Sequence, residues 1–240
     1  AAPRRSARHA GWGRRMIAAA LRQALAQLPD PAFRRVLVRA LSISIAVFAA
    51  LAVALWLGLM LLPDVQQTWL DWVIGFASGI GFFVLMLLLF PAVMTAAIGL
   101  FLDDIAEAVE RRYYAAEPAG RPLAFWPGLV GALRFLAVVL LVNILLLPVY
   151  GILLFFPPLL YGLSLVVNGW LVSREYFEQV AARYLPRAEA DAMRRRWRGD
   201  IWLCGILIVL LLTIPLVNFL VPIVATAFMV HVYKRLRSRG

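Results

Sequence analysis

Long apolar segments dominate the chain and are separated by short polar stretches. There are four of them, at residues 40–62, 69–102, 128–172 and 201–230. A bilayer core of about 30 Å takes roughly 20 helical residues, so each segment is long enough to enter a membrane. Their apolar runs are continuous, whereas the strands of a transmembrane barrel alternate apolar and polar positions. The pattern therefore predicts an all-α integral membrane protein.

Composition supports this prediction. Of the 240 residues, 63% are hydrophobic and only 15% are charged. A water-soluble domain cannot bury that share of apolar residues, so the excess must face lipid.

Positive charge between the segments predicts their orientation. Lysine and arginine number nine before the first segment, none in residues 63–68, three in 103–127, seven in 173–200 and four after 230. The positive-inside rule places residues 63–68 outside and every other connection, with both termini, in the cytoplasm. We expect a protein of a bacterial-type inner membrane whose first two segments each cross once.

The third and fourth segments should then be hairpins, because each begins and ends on the cytoplasmic side. The fourth has too few residues for two full crossings, which favours a re-entrant hairpin that turns within the membrane. For residues 128–172 the alternative stays open that prolines merely kink ordinary spanning helices. The expected hairpin breakers are Pro157, Pro158, Pro215 and Pro222, with Pro148 as a further interruption.

The aqueous parts carry shorter helical patterns. Residues 16–28 predict an amphipathic helix on the membrane surface, with an apolar face of Ile17, Leu21, Leu25 and Leu28. Asp30 and Pro31 are typical of a helix N-cap and first position. The second apolar segment should continue as a helix to residue 116. Residues 1–15 begin with no apolar core, and we expect a disordered cytoplasmic tail there and a single membrane domain over 16–240.

Enzyme chemistry is not indicated. The sequence shows no P-loop, nucleophile elbow or metal-ligand spacing, so we expect no enzyme, cofactor or metal. Asp103, Asp104, Glu107 and Glu110 could relay protons or hold a cation, but a solvated helix face paired with Arg111 and Arg112 is favoured. The polar residues that could line a pathway, or serve structure alone, are Glu107, Glu110, Asn143, Asn168 and Asn218.

The start of the first long helix is a candidate anion site. A helix N-terminus offers unpaired amides and partial positive charge, and Arg34 and Arg35 lie about one turn further on. Guanidinium groups and free amides bind tetrahedral oxyanions. The alternative is that these arginines serve orientation alone.

Three motifs together resemble one family. They are LPDPAFRR at residues 28–35, LDDIAEAVE at 102–110 and IPLVNFLVPIVATA at 214–227. In order and spacing they resemble the CysZ-type sulfate permeases and the related etoposide-induced-protein domain family, over roughly residues 16–235. The resemblance implies two long transmembrane helices, two hemi-penetrating helical hairpins, an N-terminal amphipathic helix and assembly as a homo-oligomer.

The same resemblance implies uptake of sulfate for cysteine biosynthesis. The anion would be held by a Gly-Leu-Arg-Arg-like segment, whose positions here are Ala32, Phe33, Arg34 and Arg35. The chain departs from the family by having Ala32 in place of the glycine, and by lacking an aspartate-containing Tyr-Pro pattern near residues 168–182. We expect sulfate or a similar oxyanion and membrane lipids as partners, and no nucleic acid.

A second function remains open. Few polar residues lie within the apolar segments, as expected for a non-transporting scaffold that organises lipids or partner proteins through its arginine-rich cytoplasmic helices.

Overall fold

Nine α-helices and one short 3₁₀ helix make up nearly all of the described chain. The computed structural model describes residues 2–61, 68–214 and 217–239, and no strand occurs within these ranges. The fold is all-α, as predicted. The helices are α1 (Ala2–Ala26), α2 (Pro31–Met60), α3 (Thr68–Gly99), α4 (Leu102–Tyr113), α5 (Phe125–Leu153), α6 (Pro157–Ala182), α7 (Arg187–Arg196), α8 (Arg198–Leu212) and α9 (Val221–Arg237), with the 3₁₀ helix at Val217–Leu220.

The chain divides into two compact units. The smaller unit is residues 31–101 and contains α2 and α3. The larger unit contains α1 and α4 to α9. Two compact units can belong to one domain, so the single membrane domain over 16–240 stays a prediction, as does the disordered tail over 1–15.

The smaller unit consists of two long apolar helices. α2 begins at Pro31, as the sequence predicted, and its 30 residues span about 45 Å. Ser44 donates hydrogen bonds to the Ala40 carbonyl at 2.8 Å and to the Met94 sulfur at 3.7 Å. Within the apolar windows that could cross a membrane, only 11% of α2 and 12% of α3 is buried. Such apolar, exposed helices belong in a membrane.

The prediction that the second segment continues as one helix to residue 116 is wrong. α3 ends at Gly99, and a turn closed by the Phe101 amide on the Ile98 carbonyl at 2.9 Å precedes α4. Asp103 and Asp104 lie in the first turn of α4. Carboxylates stabilise a helix N-terminus, so they favour a new helix at this point over an extension of α3.

The third apolar segment forms a helical hairpin. Val142 of α5 shares a groove with Val166 and Val167 of α6. Similar numbers of residues separate them from the turn between the two helices, as expected for helices that run antiparallel. Pro157 and Pro158 begin α6, where a proline costs no helical hydrogen bond. Pro148 lies inside α5 and, contrary to prediction, does not interrupt it. α5 is long enough to cross a membrane, so the choice between crossing and re-entry stays open.

The fourth segment is also a hairpin, as predicted. The start of α8 at Asp200 lies beside Gly13 of α1, and Arg235 near the end of α9 donates to the Met16 carbonyl at 2.8 Å. Both ends of the segment therefore lie beside the same part of α1. α8 has 15 residues, or about 22 Å, which is too short to cross a bilayer. Pro222 lies in the first turn of α9, whereas Pro215 is outside the described residues.

α9 is the centre of the larger unit. Its residues from Val221 to Lys234 are all buried, with α1, α4, α6 and α8 packed around it. α1 is amphipathic, and only part of its predicted apolar face packs on protein; that the exposed part lies on the membrane surface stays a prediction. Ile17 is 5% exposed, while Leu25 is 41% exposed. The hydrogen bond from Arg235 to the carbonyl of the neighbouring Met16 holds this face against α9.

Candidate anion site and the buried ion cluster

The first turn of α2 presents two arginines on its exposed side. Phe33 is fully buried and Ala32 partly so, while Arg34 and Arg35 are exposed. Val36, one turn along the buried face, is 1% exposed. The buried positions fix the rotation of the helix, and the arginines therefore project away from the packed side.

Neither arginine is engaged elsewhere. Within the described residues, no ion pair or hydrogen bond is made by the side chains of Arg34 or Arg35. Each guanidinium is a planar fork of donors that matches an oxyanion, and both lie within the first turns, where the helix dipole is positive. This arrangement can attract and hold a sulfate-like dianion.

The polar residues predicted for a pathway are dispersed. Asn143, Asn168 and Asn218 are all exposed, and within the described ranges no hydrogen bond joins any two of them. The Asn143 amide donates to the Val139 carbonyl of its own helix at 2.8 Å. That these residues line one pathway stays a prediction.

The carboxylates of α4 fall into two groups. Glu107 is exposed and pairs with Arg111 at 3.0 Å, as expected for a solvated helix face. Glu110 does not fit that interpretation, because it is 4% exposed and bonds to Arg183, more than seventy residues away. Asp103 also bonds to Arg183.

Arg183 is the centre of a buried ion cluster, formed with Asp103, Glu110 and Tyr184. Arg183 is 4% exposed and contacts Asp103 and, at 3.3 Å, Glu110. Tyr184 donates its hydroxyl hydrogen to Glu110. A buried guanidinium is tolerated here because two carboxylates neutralise it.

The cluster holds the loop between α4 and α5. The Gly120 amide donates to Glu110 at 3.0 Å, and the Leu123 amide donates to Asp103 at 3.2 Å. Lys234 of α9 pairs with Glu117 at 3.1 Å and lies 4.6 Å from the Tyr184 ring centre. The loop is thereby connected to α4, α6 and α9 at once.

These surroundings shift several pKa values. Burial lowers the pKa of Arg183, but the carboxylates of Glu110 and Asp103 more than offset this, and the net shift is upward. The pKa of Tyr184 is raised by burial and by its hydrogen bond to Glu110. Both side chains therefore keep their protons at neutral pH. The shifts strengthen the ion cluster and give it no acid–base role.

Sequence reasoning missed Arg183, Tyr184, Lys234 and His231. His231 is fully buried, hydrogen-bonded through Nδ1 to the Tyr114 hydroxyl at 2.9 Å, with the Tyr113 ring edge-on at 4.9 Å. The available signal was the unusual presence of His231 and Lys234 just after a long apolar run. Such residues near a membrane segment point to a protein-lined interior.

One family of known proteins matches the chain. The chain matches the family described as "Sulfate transporter CysZ/Etoposide-induced protein 2.4" over residues 20–222, most of its length. No curated protein matches it. The matched region begins in α1, includes α2 with its two exposed arginines, and ends in α9. The chain therefore belongs to the CysZ and etoposide-induced-protein family of membrane proteins.

Proposed function

We propose that this protein is a membrane permease or channel for oxyanions, with sulfate as its substrate. The observation that carries the proposal is the pair of exposed, unengaged arginines in the first turns of α2. Family membership supports the same function.

The chemistry of the site fits a dianion. Sulfate offers four acceptor oxygens, and Arg34 and Arg35 together offer two positive charges and up to ten N–H donors. Solvent screens exposed charges, so each arginine would strengthen binding by up to about 1 kcal/mol, or roughly five-fold. An exposed position also allows release, which a permease needs as much as capture.

The wider assignment extends this proposal. Sulfate uptake would supply cysteine biosynthesis across a bacterial-type inner membrane, with both termini in the cytoplasm. The apolar window of α5 has no buried residue among those that the structure describes, which leaves a surface on which further copies in a homo-oligomer could pack. Lipid or further copies must cover that surface.

Binding of radiolabelled sulfate to the purified protein tests the proposal. The double variant Arg34→Ala, Arg35→Ala should lose sulfate binding and sulfate flux into liposomes. A matched control is Arg22→Ala, Arg121→Ala, which removes the same charge from two other exposed positions. Binding should survive in the control.

Two outcomes contradict the proposal. One is wild-type protein that is folded by circular dichroism yet neither binds nor conducts sulfate. The other is equal loss in both double variants, since that would show a general effect of net charge without a site on α2. The first outcome would favour the scaffold function.

A further inference from the structure

An apolar groove lies between α5, α6 and α8. It is lined by Val142, Val166, Val167, Trp170 and Trp202 and has a volume of about 280 Å³. That is close to the lower end of the roughly 300–1,000 Å³ of small-molecule sites. The groove can take part of a hydrocarbon chain but not a whole lipid molecule.

The lining of the groove fits hydrocarbon and no polar ligand. All five lining side chains are apolar or aromatic, and the indole N–H of Trp202 is already bonded to the Val166 carbonyl at 3.1 Å. The surface nearby is apolar as well, with Leu203 43% and Leu159 61% exposed. A ligand with hydrogen-bonding groups would find no partner inside the groove.

Basic residues flank the two tryptophans of the groove. The Arg174 guanidinium lies 6.0 Å from the Trp170 ring centre, and Arg198 is one helical turn before Trp202 on α8. Glu178 links α6 to α7, because it pairs with Arg174 of its own helix at 2.8 Å and with Arg194 of α7 at 3.4 Å. Tryptophan and arginine beside an apolar surface are typical of the headgroup level of a membrane.

We propose that this groove is a binding site for an anionic phospholipid. One acyl chain lies against Val142, Val166 and Val167, and the phosphate lies beside Arg198, which is exposed. Glu178 partly neutralises Arg174 and Arg194, whereas Arg198 makes no ion pair with any residue that the structure describes, so Arg198 supplies the preference for negative charge. The groove shares no residue with the candidate anion site of α2, and the proposal stands whether or not the protein transports sulfate.

Electron spin resonance with spin-labelled lipids tests the site. Full-length protein is reconstituted in phosphatidylcholine vesicles, and the motionally restricted fraction is compared for labelled phosphatidylglycerol and labelled phosphatidylcholine. One arginine near a membrane surface changes the affinity for an anionic lipid by about five-fold. Wild-type protein should prefer phosphatidylglycerol by about this factor. Arg198→Gln should lose the preference, and the matched control Arg121→Gln should keep it.

A second variant checks the groove itself. Val167→Trp fills the groove without changing charge, so the restricted fraction should fall for both lipids. Equal restriction of the two lipids by wild-type protein, or a preference that survives in Arg198→Gln, would overturn the proposal.

The remaining alternative is that a second copy of the chain covers the groove. Val142→Cys tests it, because the native Cys204 is buried and stays unreactive. Rapid disulfide cross-linking between copies through residue 142 would overturn the lipid assignment, and a variant that does not cross-link and retains its lipid preference would support it.

Discussion

Replacing Arg183 should destabilise the larger unit more than replacing any exposed arginine would. Arg183→Met breaks the bonds to Asp103 and Glu110 and leaves the Glu110 carboxylate buried. Among the described residues, its remaining donors are the Tyr184 hydroxyl and the Gly120 amide. Breaking a buried ion pair from one side costs roughly 3–5 kcal/mol. The two remaining donors place the expected loss at the low end, about 3 kcal/mol.

A double-mutant cycle isolates the ion pair itself. Glu110→Gln alone should cost about 2 kcal/mol, because Arg183 keeps Asp103 as a partner. The double variant should cost about 3–4 kcal/mol, less than the sum of the single variants, since no buried carboxylate is then left uncompensated. The free energy of unfolding is measured by denaturant titration in detergent micelles, with tryptophan fluorescence as the signal.

The exposed pair on the same helix serves as the matched control. Glu107 and Arg111 lie 3.0 Å apart with side chains 52% and 66% exposed, so the same cycle there should give a coupling of about 0.5 kcal/mol or less. A coupling between Arg183 and Glu110 as small as that of the control would refute the assigned role of the ion cluster.

Three further predictions concern single residues. Gly205→Ala should cost about 1–3 kcal/mol of stability, because the added methyl group would clash with the Gly169 carbonyl. Gly162→Ala is the control, since a methyl group there meets open space. Equal melting temperatures of the two variants would contradict this prediction. Burial raises the pKa of Glu175 from 4.5 to about 7. Between these two pH values the folded protein retains a proton that the unfolded chain releases, so the free energy of unfolding falls as the pH rises from about 4.5 to 7. Glu175→Gln should therefore stabilise by about 1–3 kcal/mol at pH 8 and hardly at all at pH 4.5, which denaturant titrations at both pH values would check. Ala32→Gly should strengthen sulfate binding if the anion rests on the helix amides, and calorimetry showing unchanged affinity would place the anion on the arginine side chains alone.

Much of the fold could be predicted from the sequence because lipid imposes simple rules. Apolar length predicted α2 and α3, and loop charge predicted that residues 128–172 and 201–230 return to their starting side. Pro31 predicted the start of α2, since a proline is favoured at a first helical position. Each of these predictions depends on local sequence or on segment length, which a single chain displays directly.

The partners of the α4 carboxylates could not be predicted in the same way. Arg111 and Arg112 are near in sequence and are the obvious candidates for Glu110, but the rotation of α4 directs Glu110 into the protein. Its true partner, Arg183, lies at the end of α6 and meets α4 only through tertiary packing. The candidate anion site was easier to find, because its arginines and the helix start are adjacent in sequence.

Differences in hydropathy between the apolar helices follow their burial. The windows of α2, α3 and α5 have mean hydropathies of 2.4–2.6 and are at most 12% buried, whereas the window from Val217 to Arg237 has a value of 1.5 and is 78% buried. A helix enclosed by protein can carry His231 and Lys234, because neighbouring side chains supply their hydrogen bonds and counter-charges. The lower hydropathy of α9 therefore marks its central position, and the higher values mark the helices that need a membrane or another copy of the chain to cover them.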